Sequence, residues 1–369
     1  MSTTLQPKKH FQILDGLRGV AAVTVVIFHL FEAHATSHLD QIVNHGYLAV
    51  DFFYLLSGFV IGYAYDDRWE KMTLKDFFKR RLIRLQPMVI MGMIVGACLF
   101  YFSTSPILFP KIPDVPVWQV IGIMLIGFTL LPIPTPMDIR GWGEMHPLNG
   151  PGWSLFYEYI ANILYAIGVR KFNKTALTIL VVVCGVLLIH YAVTSAGGDV
   201  IGGWSLTWES ARIGFTRMLY PFFAGLLLFR VSKLSNVKNA FVWCSLLVVA
   251  VLAFPRIGGK DQLWMNGLYD SLSIVFIFPL IVYVGASGEV SSRIGSKVCK
   301  FLGDISYPIY ITHYPLIYVY TAWVFDSKPT ADEALPMAAL TFVTIIALGY
   351  ASLKVYDEPV RKWISKKLN

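Results

Sequence analysis

Charge is what this chain has least of. Asp, Glu, Lys and Arg make up 15% of its 369 residues, against 56% hydrophobic. A water-soluble globule carries about 25% charged residues, so that class is excluded. The mean hydropathy is +0.58. Polar stretches long enough to fold alone are also missing, so no appended soluble domain is expected and residues 1–369 read as a single membrane domain. Alternating segments of about ten residues, the mark of a β-barrel, do not occur. Internal repeats and low-complexity tracts are lacking, which weighs against an inverted-repeat transporter. The four cysteines, Cys98, Cys184, Cys244 and Cys299, have neither CxxC nor metal spacing. They imply no disulfide framework and no zinc site.

What the chain does have is apolar runs approaching the 20 or so residues that cross a bilayer. Backbone groups in lipid must pair internally, so the fold class is all-α, a polytopic helical membrane protein. The net charge of +8 does not point to nucleic acid, because Lys and Arg lie between the apolar runs. They cluster at Lys8-Lys9 and at residues 68–84, 170–174, 230–238, 293–300 and 354–367. By the positive-inside rule these mark the cytoplasmic side of an inner membrane. Apolar runs pair between the clusters at 14–33 and 47–65, 176–193 and 212–230, 240–255 and 267–286, and 302–325 and 336–353. Between Arg84 and Arg170 lie three: 86–105, 117–133 and 153–169. An odd number would put everything after Arg170 on the wrong side. One of the last two is therefore expected to be re-entrant, and the Pro- and Gly-rich residues 132–152 suit a cavity-lining loop. The expectation is about ten spans with both termini cytoplasmic. Ala33-His34-Ala35 also fits a signal-peptide cleavage site, but Asp15 and Arg18 interrupt the start of that apolar run.

Ionisable residues inside spans are costly and mark candidate sites. Residues 14–29, LDGLRGVAAVTVVIFH, carry Arg18 and His29. They are eleven residues apart, so at about 100° per residue they share a helix face, roughly 16 Å apart along the axis. His29 has the near-neutral imidazole that suits a general base, although a membrane histidine can be a structural hydrogen-bond partner. Residues 74–87, LKDFFKRRLIRLQP, gather Lys79, Arg80, Arg81 and Arg84. They read as an interfacial anchor contacting lipid phosphates or as a phosphate clamp. The second run buries Asp51, which can orient His29 or pair with an arginine. Residues 152–165, GWSLFYEYIANILY, add Glu158, which can orient a base or hold a substrate hydroxyl. Trp153, Tyr157 and Tyr159 offer a sugar-stacking face or an interfacial belt. Residues 303–323 carry His313, a candidate substrate contact, with Pro308 and Pro315, which predict a bend beside a cavity. His34 and His38 have a helical metal spacing, but a solvated loop is the simpler reading and no metal is expected. The closing YDEPVRKWISKKL reads as an interfacial amphipathic helix.

Taken together, these motifs resemble the acyltransferase-3 family of integral membrane acyltransferases over nearly the whole chain. LDGLRGVAA with His29 is similar to its Arg-x10-His signature, and AVDFFYLLSGFVIG to its second-span motif. Arg81-Leu82-Ile83-Arg84 resembles its R-x-x-R motif, Trp153-Ser154-Leu155 with Glu158 its WSLxxE element, and GDISYPIYITH its late Ser-Tyr…His element. The resemblance implies transfer of an acyl group, usually acetyl from acetyl-CoA, to a hydroxyl of a glycan or lipid-linked sugar. It points to His29 as the base, with Arg18, Arg81 and Arg84 serving the acyl-CoA. Where many members have a second acidic residue after WSLxxE, this chain has Glu158-Tyr159-Ile160.

The residues alone describe an anionic ligand held at an arginine with a long arm reaching His29; for the acyl-CoA that the resemblance implies, the phosphates meet Arg81, Arg84 and Arg80 or Lys79 where lipid meets cytosol, and the arm rises past Arg18 towards His29. A transporter or flippase without chemistry would share the buried charges and bent spans. It gives no reason for an Arg–His ladder above a phosphate clamp.

Overall fold

The computed structural model describes residues 10–368; the basic pair Lys8-Lys9 lies outside them. Among the described residues every regular element is helical. In chain order the α-helices are α1 (Gln12–Glu32), α2 (Ala49–Tyr65), α3 (Leu74–Leu99), α4 (Val117–Gly127), α5 (Gly152–Ile167), α6 (Lys174–Thr194), α7 (Trp208–Val231), α8 (Ala240–Ala253), α9 (Trp264–Leu272), α10 (Phe278–Ser287), α11 (Arg293–Ser327), α12 (Ala331–Ala351) and α13 (Glu358–Leu368). Six stretches are long and apolar enough to cross a bilayer: α1, Gly46–Tyr65 around α2, α3, α6, Trp264–Ser287 through a π turn between α9 and α10, and Ala331–Lys367. The protein is thus a multi-pass helical membrane protein. A count of ten asks more: α7 and α11 have the length but carry several charges, and α5 and α8 are shorter. The closing segment is helical over Glu358–Leu368. It continues α12 through a π turn at Ser352–Asp357.

The odd run between Arg84 and Arg170 resolves at α4. Its 11 residues span only about 16 Å, half a hydrocarbon core. The chain enters it beside Tyr101, whose hydroxyl donates to the Val115 carbonyl. It leaves at Phe128, whose carbonyl accepts from Gln86, halfway along α3. The chain then turns back, with Ile133 N–H donating to the Met145 carbonyl. Asp138 shapes this return by accepting from the N–H groups of Arg140, Gly141 and Gly143.

Three helices, α1, α2 and α11, form the centre. Of the most apolar window of each span, 67% is buried in α1 and 72% in the α2 stretch, against 17% in the C-terminal one. In lipid, helices associate through close packing over small residues rather than through hydrophobic exclusion. The α2–α7 pair shows this on both sides. A Cβ on Gly58 would fall 1.8 Å from the Phe222 carbonyl oxygen, and one on Gly225 would fall 2.0 Å from that of Leu55. The third central helix, α11, runs unbroken through Pro308 and Pro315. Pro315 has no N–H, so the Ile311 carbonyl loses its helical donor. Asn149, from the returning loop, supplies one at 2.9 Å.

Candidate active site

Two cavities of about 600 Å³ and 560 Å³ penetrate the bundle from opposite ends. The first lies at the end rich in Lys and Arg, and the second at the other end beside the 128–151 loop. Val50 and Tyr310 line both, so the two cavities lie on either side of them.

The basic-end cavity is lined by Arg18, Arg81 and Arg84, with Lys300 and Arg361 nearer its rim. Arg18 is fixed on three sides: its Nε donates to Ser306 Oγ at 2.8 Å, its Nη2 donates to the Gly303 carbonyl at 3.3 Å, and Asp15 lies at 3.1 Å. Arg81 Nη2 donates to Glu158 Oε1 at 2.9 Å, and the Ser57 hydroxyl donates to the same oxygen at 2.7 Å. Arg361 pairs with Asp357 and Lys300 with Asp304, both at 2.7 Å. Among the described residues, Arg84 alone of these five cations has no ion-pair partner. Arg80, read from the sequence together with Arg81 and Arg84, lies outside the cavity lining. Helical rotation turns it about 100° away from Arg81. Glu158, too, lies with the arginines and not with His29.

The second cavity contains His29. Its Nδ1–H donates to Glu32 Oε2 at 2.6 Å. A carboxylate can only accept, so this bond fixes the tautomer and leaves Nε2 as the basic nitrogen. Tyr314 meets the imidazole edge-on at 4.8 Å, and the His313 ring stacks on it at 5.5 Å. His313 Nδ1–H donates to the Tyr310 carbonyl at 2.9 Å, and its buried Nε2 has no hydrogen-bond partner among the described residues. Trp142, Trp153 and Trp204 add flat apolar faces, while Glu144 adds a carboxyl group. Glu144 accepts from the Tyr318 hydroxyl, and the Arg140 guanidinium lies 3.6 Å over the Tyr318 ring. Burial in this loop pushes Glu144 up to about 7 and His146 down to about 4.

Several residues marked from the sequence do other work. Asp51 does not orient His29. It is fully buried, and its Oδ2 accepts from Arg217 Nη2 at 2.7 Å and Nε at 3.2 Å. Tyr157 is 1% exposed and packs edge-on against Phe215 in the core, outside both linings. Only Trp153 of the proposed stacking face lines the second cavity; the Tyr159 hydroxyl donates to Gln86. His34 and His38 bond to Tyr320 and Gln41. Among the described residues no group of three or more His, Cys, Asp or Glu could hold a metal ion.

A family model described as an acyltransferase domain matches residues 11–353. The chain belongs to the acyltransferase-3 family. One relative, Protein 2 in picA locus of Rhizobium radiobacter, is 32% identical over 193 residues, covering 50% of this chain and 97% of that protein. The O-acetyltransferase OatA of Staphylococcus aureus (strain NCTC 8325 / PS 47) is 25% identical over 364 residues, covering 95% of this chain and 57% of OatA. The peptidoglycan O-acetyltransferase OatA of Listeria monocytogenes is 26% identical over 384 aligned positions, with 98% and 57% covered. The acyltransferase-3 chain thus spans little more than half the length of these OatA relatives. No solved structure matches it.

Sequence reasoning passed over Glu32 as a partner for His29, although i,i+3 neighbours on a helix meet. It also passed over Glu144, Arg217 and Tyr310. Nothing in the local sequence pairs Asp51 with a residue 166 positions away.

Proposed function

We propose that the protein is an inner-membrane O-acyltransferase that moves an acetyl group from cytosolic acetyl-CoA to a hydroxyl of a glycan or lipid-linked sugar. One observation carries this reading: guanidinium groups line one cavity, a His–Glu pair lines the other, and the two cavities share a wall. The basic end faces the cytosol by the positive-inside rule, with both termini there and about ten spans in a single membrane domain. The CoA phosphates bind Arg84 first, because Arg18 and Arg81 already have carboxylate partners. The arm then runs inward past Arg18, and the thioester carbonyl reaches His29.

His29 Nε2 takes the proton from the acceptor hydroxyl as its oxygen attacks the carbonyl carbon. The C–O bond forms, the C–S bond breaks, and the thiolate leaves and recovers that proton. Glu32 stabilises the transient imidazolium, as a carboxylate does for a catalytic histidine. His313 Nε2 accepts from the incoming sugar, and Trp153 gives the ring a stacking face. The OatA relatives, one named for peptidoglycan, support a glycan acceptor.

The test is mass spectrometry of envelope glycans from cells carrying the parent chain or His29→Ala. Acetylation is expected to vanish in the variant while the protein remains in the membrane at parental level. Unchanged acetylation overturns the reading.

A further inference from the structure

The acyl donor and the base lie in different cavities, so the reacting group must pass what separates them. That boundary is made by Val50 on α2 and Tyr310 on α11. Tyr310 is pinned. Its hydroxyl is 2.7 Å from Ser154 Oγ, which itself donates to the Pro151 carbonyl at 2.9 Å. The Tyr54 hydroxyl donates to the Ser154 carbonyl at 2.8 Å. Phe53 meets the Tyr310 ring edge-on at 5.4 Å. The side chain cannot swing to another χ1 position without breaking a buried hydrogen bond and leaving its partner unsatisfied. The opposite side is a branched aliphatic residue with few rotamers. The boundary is therefore stiff, and an isopropyl group and an aromatic ring form it.

We infer that Val50 and Tyr310 determine acyl specificity, admitting a small uncharged acyl group and rejecting longer or carboxylate-bearing ones. This rests on the donor and base assignments above. An acetyl group presents one methyl to the gap. Each further methylene must displace packed side chains, and a succinyl carboxylate would meet Val50, Phe53 and the Tyr310 ring without a donor for its charge. Arg18, Arg81 and Arg84 lie below the boundary, on the CoA side; Arg217, which lines the far cavity, is already held by Asp51 at 2.7 Å.

The experiment uses inside-out membrane vesicles carrying the full chain, with thiol release from acetyl-, propionyl-, butyryl- and succinyl-CoA as readout. Vesicles carrying His29→Ala give the background. The parent should prefer acetyl-CoA and release no thiol from succinyl-CoA above background. Val50→Ala should raise the propionyl-to-acetyl ratio of kcat/KM by roughly tenfold, the scale of one methylene in a fitted pocket. Val50→Ile should lower the same ratio, and Tyr310→Phe, which keeps the ring but frees it from Ser154, should raise it. Opposite shifts in Val50→Ala and Val50→Ile cannot come from misfolding, which lowers both donors together. If the ratio stays at the parental value in all three variants while acetyl transfer persists, the inference is wrong. If the parent shows no thiol release above the His29→Ala background, the donor and base assignments fail instead.

Discussion

At the scale of single residues, the strongest constraint is the pair Asp51–Arg217. Both side chains are essentially buried, at 0% and 2% exposure, and Arg217 also donates to the Tyr47 carbonyl at 2.6 Å. Removing one partner of a buried pair leaves an uncompensated charge, at a cost of about 3–5 kcal/mol, whereas replacing both by apolar residues is often neutral. Asp51→Ala should therefore sharply lower the thermal midpoint in detergent, and the double variant Asp51→Leu/Arg217→Met should restore most of it. A double variant as unstable as the single one would show that the pair does more than satisfy itself. Glu144 gives a pH signature. Burial raises its carboxyl from 4.5 to about 7 in the folded protein. The stability it contributes is complete below the unfolded value and is lost as pH rises towards about 7. His146, lowered to about 4 in the same loop, pulls the other way in both chains, so the thermal midpoint of the parent relative to that of Glu144→Gln should fall between pH 5 and pH 8. Melting curves across that range check this. The sequence exposed Arg18, His29, Arg81 and Arg84 because ionisable residues stand out in apolar runs. It could not distinguish Asp51 beside a catalytic base from Asp51 in a structural pair, because that choice depends on α7, far along the chain. Tyr157 shows the same limit, since helical spacing does not tell an aromatic that lines a cavity from one buried beside it.

At the scale of elements, the apolar runs located most helices to within a few residues, because the requirement that backbone groups pair internally leaves little else for a span to become. The short partner in the odd triplet was legible only as one of two candidates. In the structure α4 is the shorter of the two, 11 residues against 16 in α5, and it stops beside Gln86. Helix pairing was not legible at all. Gly58 and Gly225 read as ordinary small residues until α2 and α7 are seen to touch backbone to backbone. A side chain at Gly58 would overlap the Phe222 carbonyl. Gly58→Val should thus part the two helices that carry Asp51 and Arg217, leaving that pair mismatched as well. The expected result is loss of the monodisperse species in detergent size-exclusion chromatography. Gly122→Val is the matched control, because nothing lies within 4 Å of a Cβ there, and it should elute as the parent does.

At the scale of the whole molecule, the arrangement of interest is two cavities that meet at one thin boundary, and it depends on which way the bundle sits in the membrane. Rotation of the Arg18–His29 face was readable from spacing, but spacing along one helix does not reveal that the arginine and the histidine open towards opposite ends. That property belongs to the packing of α1 against α2 and α11 and to the loop that returns after α4. The proposed orientation rests on charge: Arg81, Arg84, Lys300 and Arg361 gather at one end, and Thr36, Ser37 and Trp142 edge the cavity at the other. In a chain with its four cysteines replaced, Ser37→Cys and Ser291→Cys put one exposed thiol at each end. A membrane-impermeant maleimide added to intact spheroplasts should label the first and reach the second only after permeabilisation. The reverse pattern would place the guanidinium-lined cavity outside the cell, where no CoA thioester is supplied, and the direction of acyl transfer drawn here would have to be abandoned.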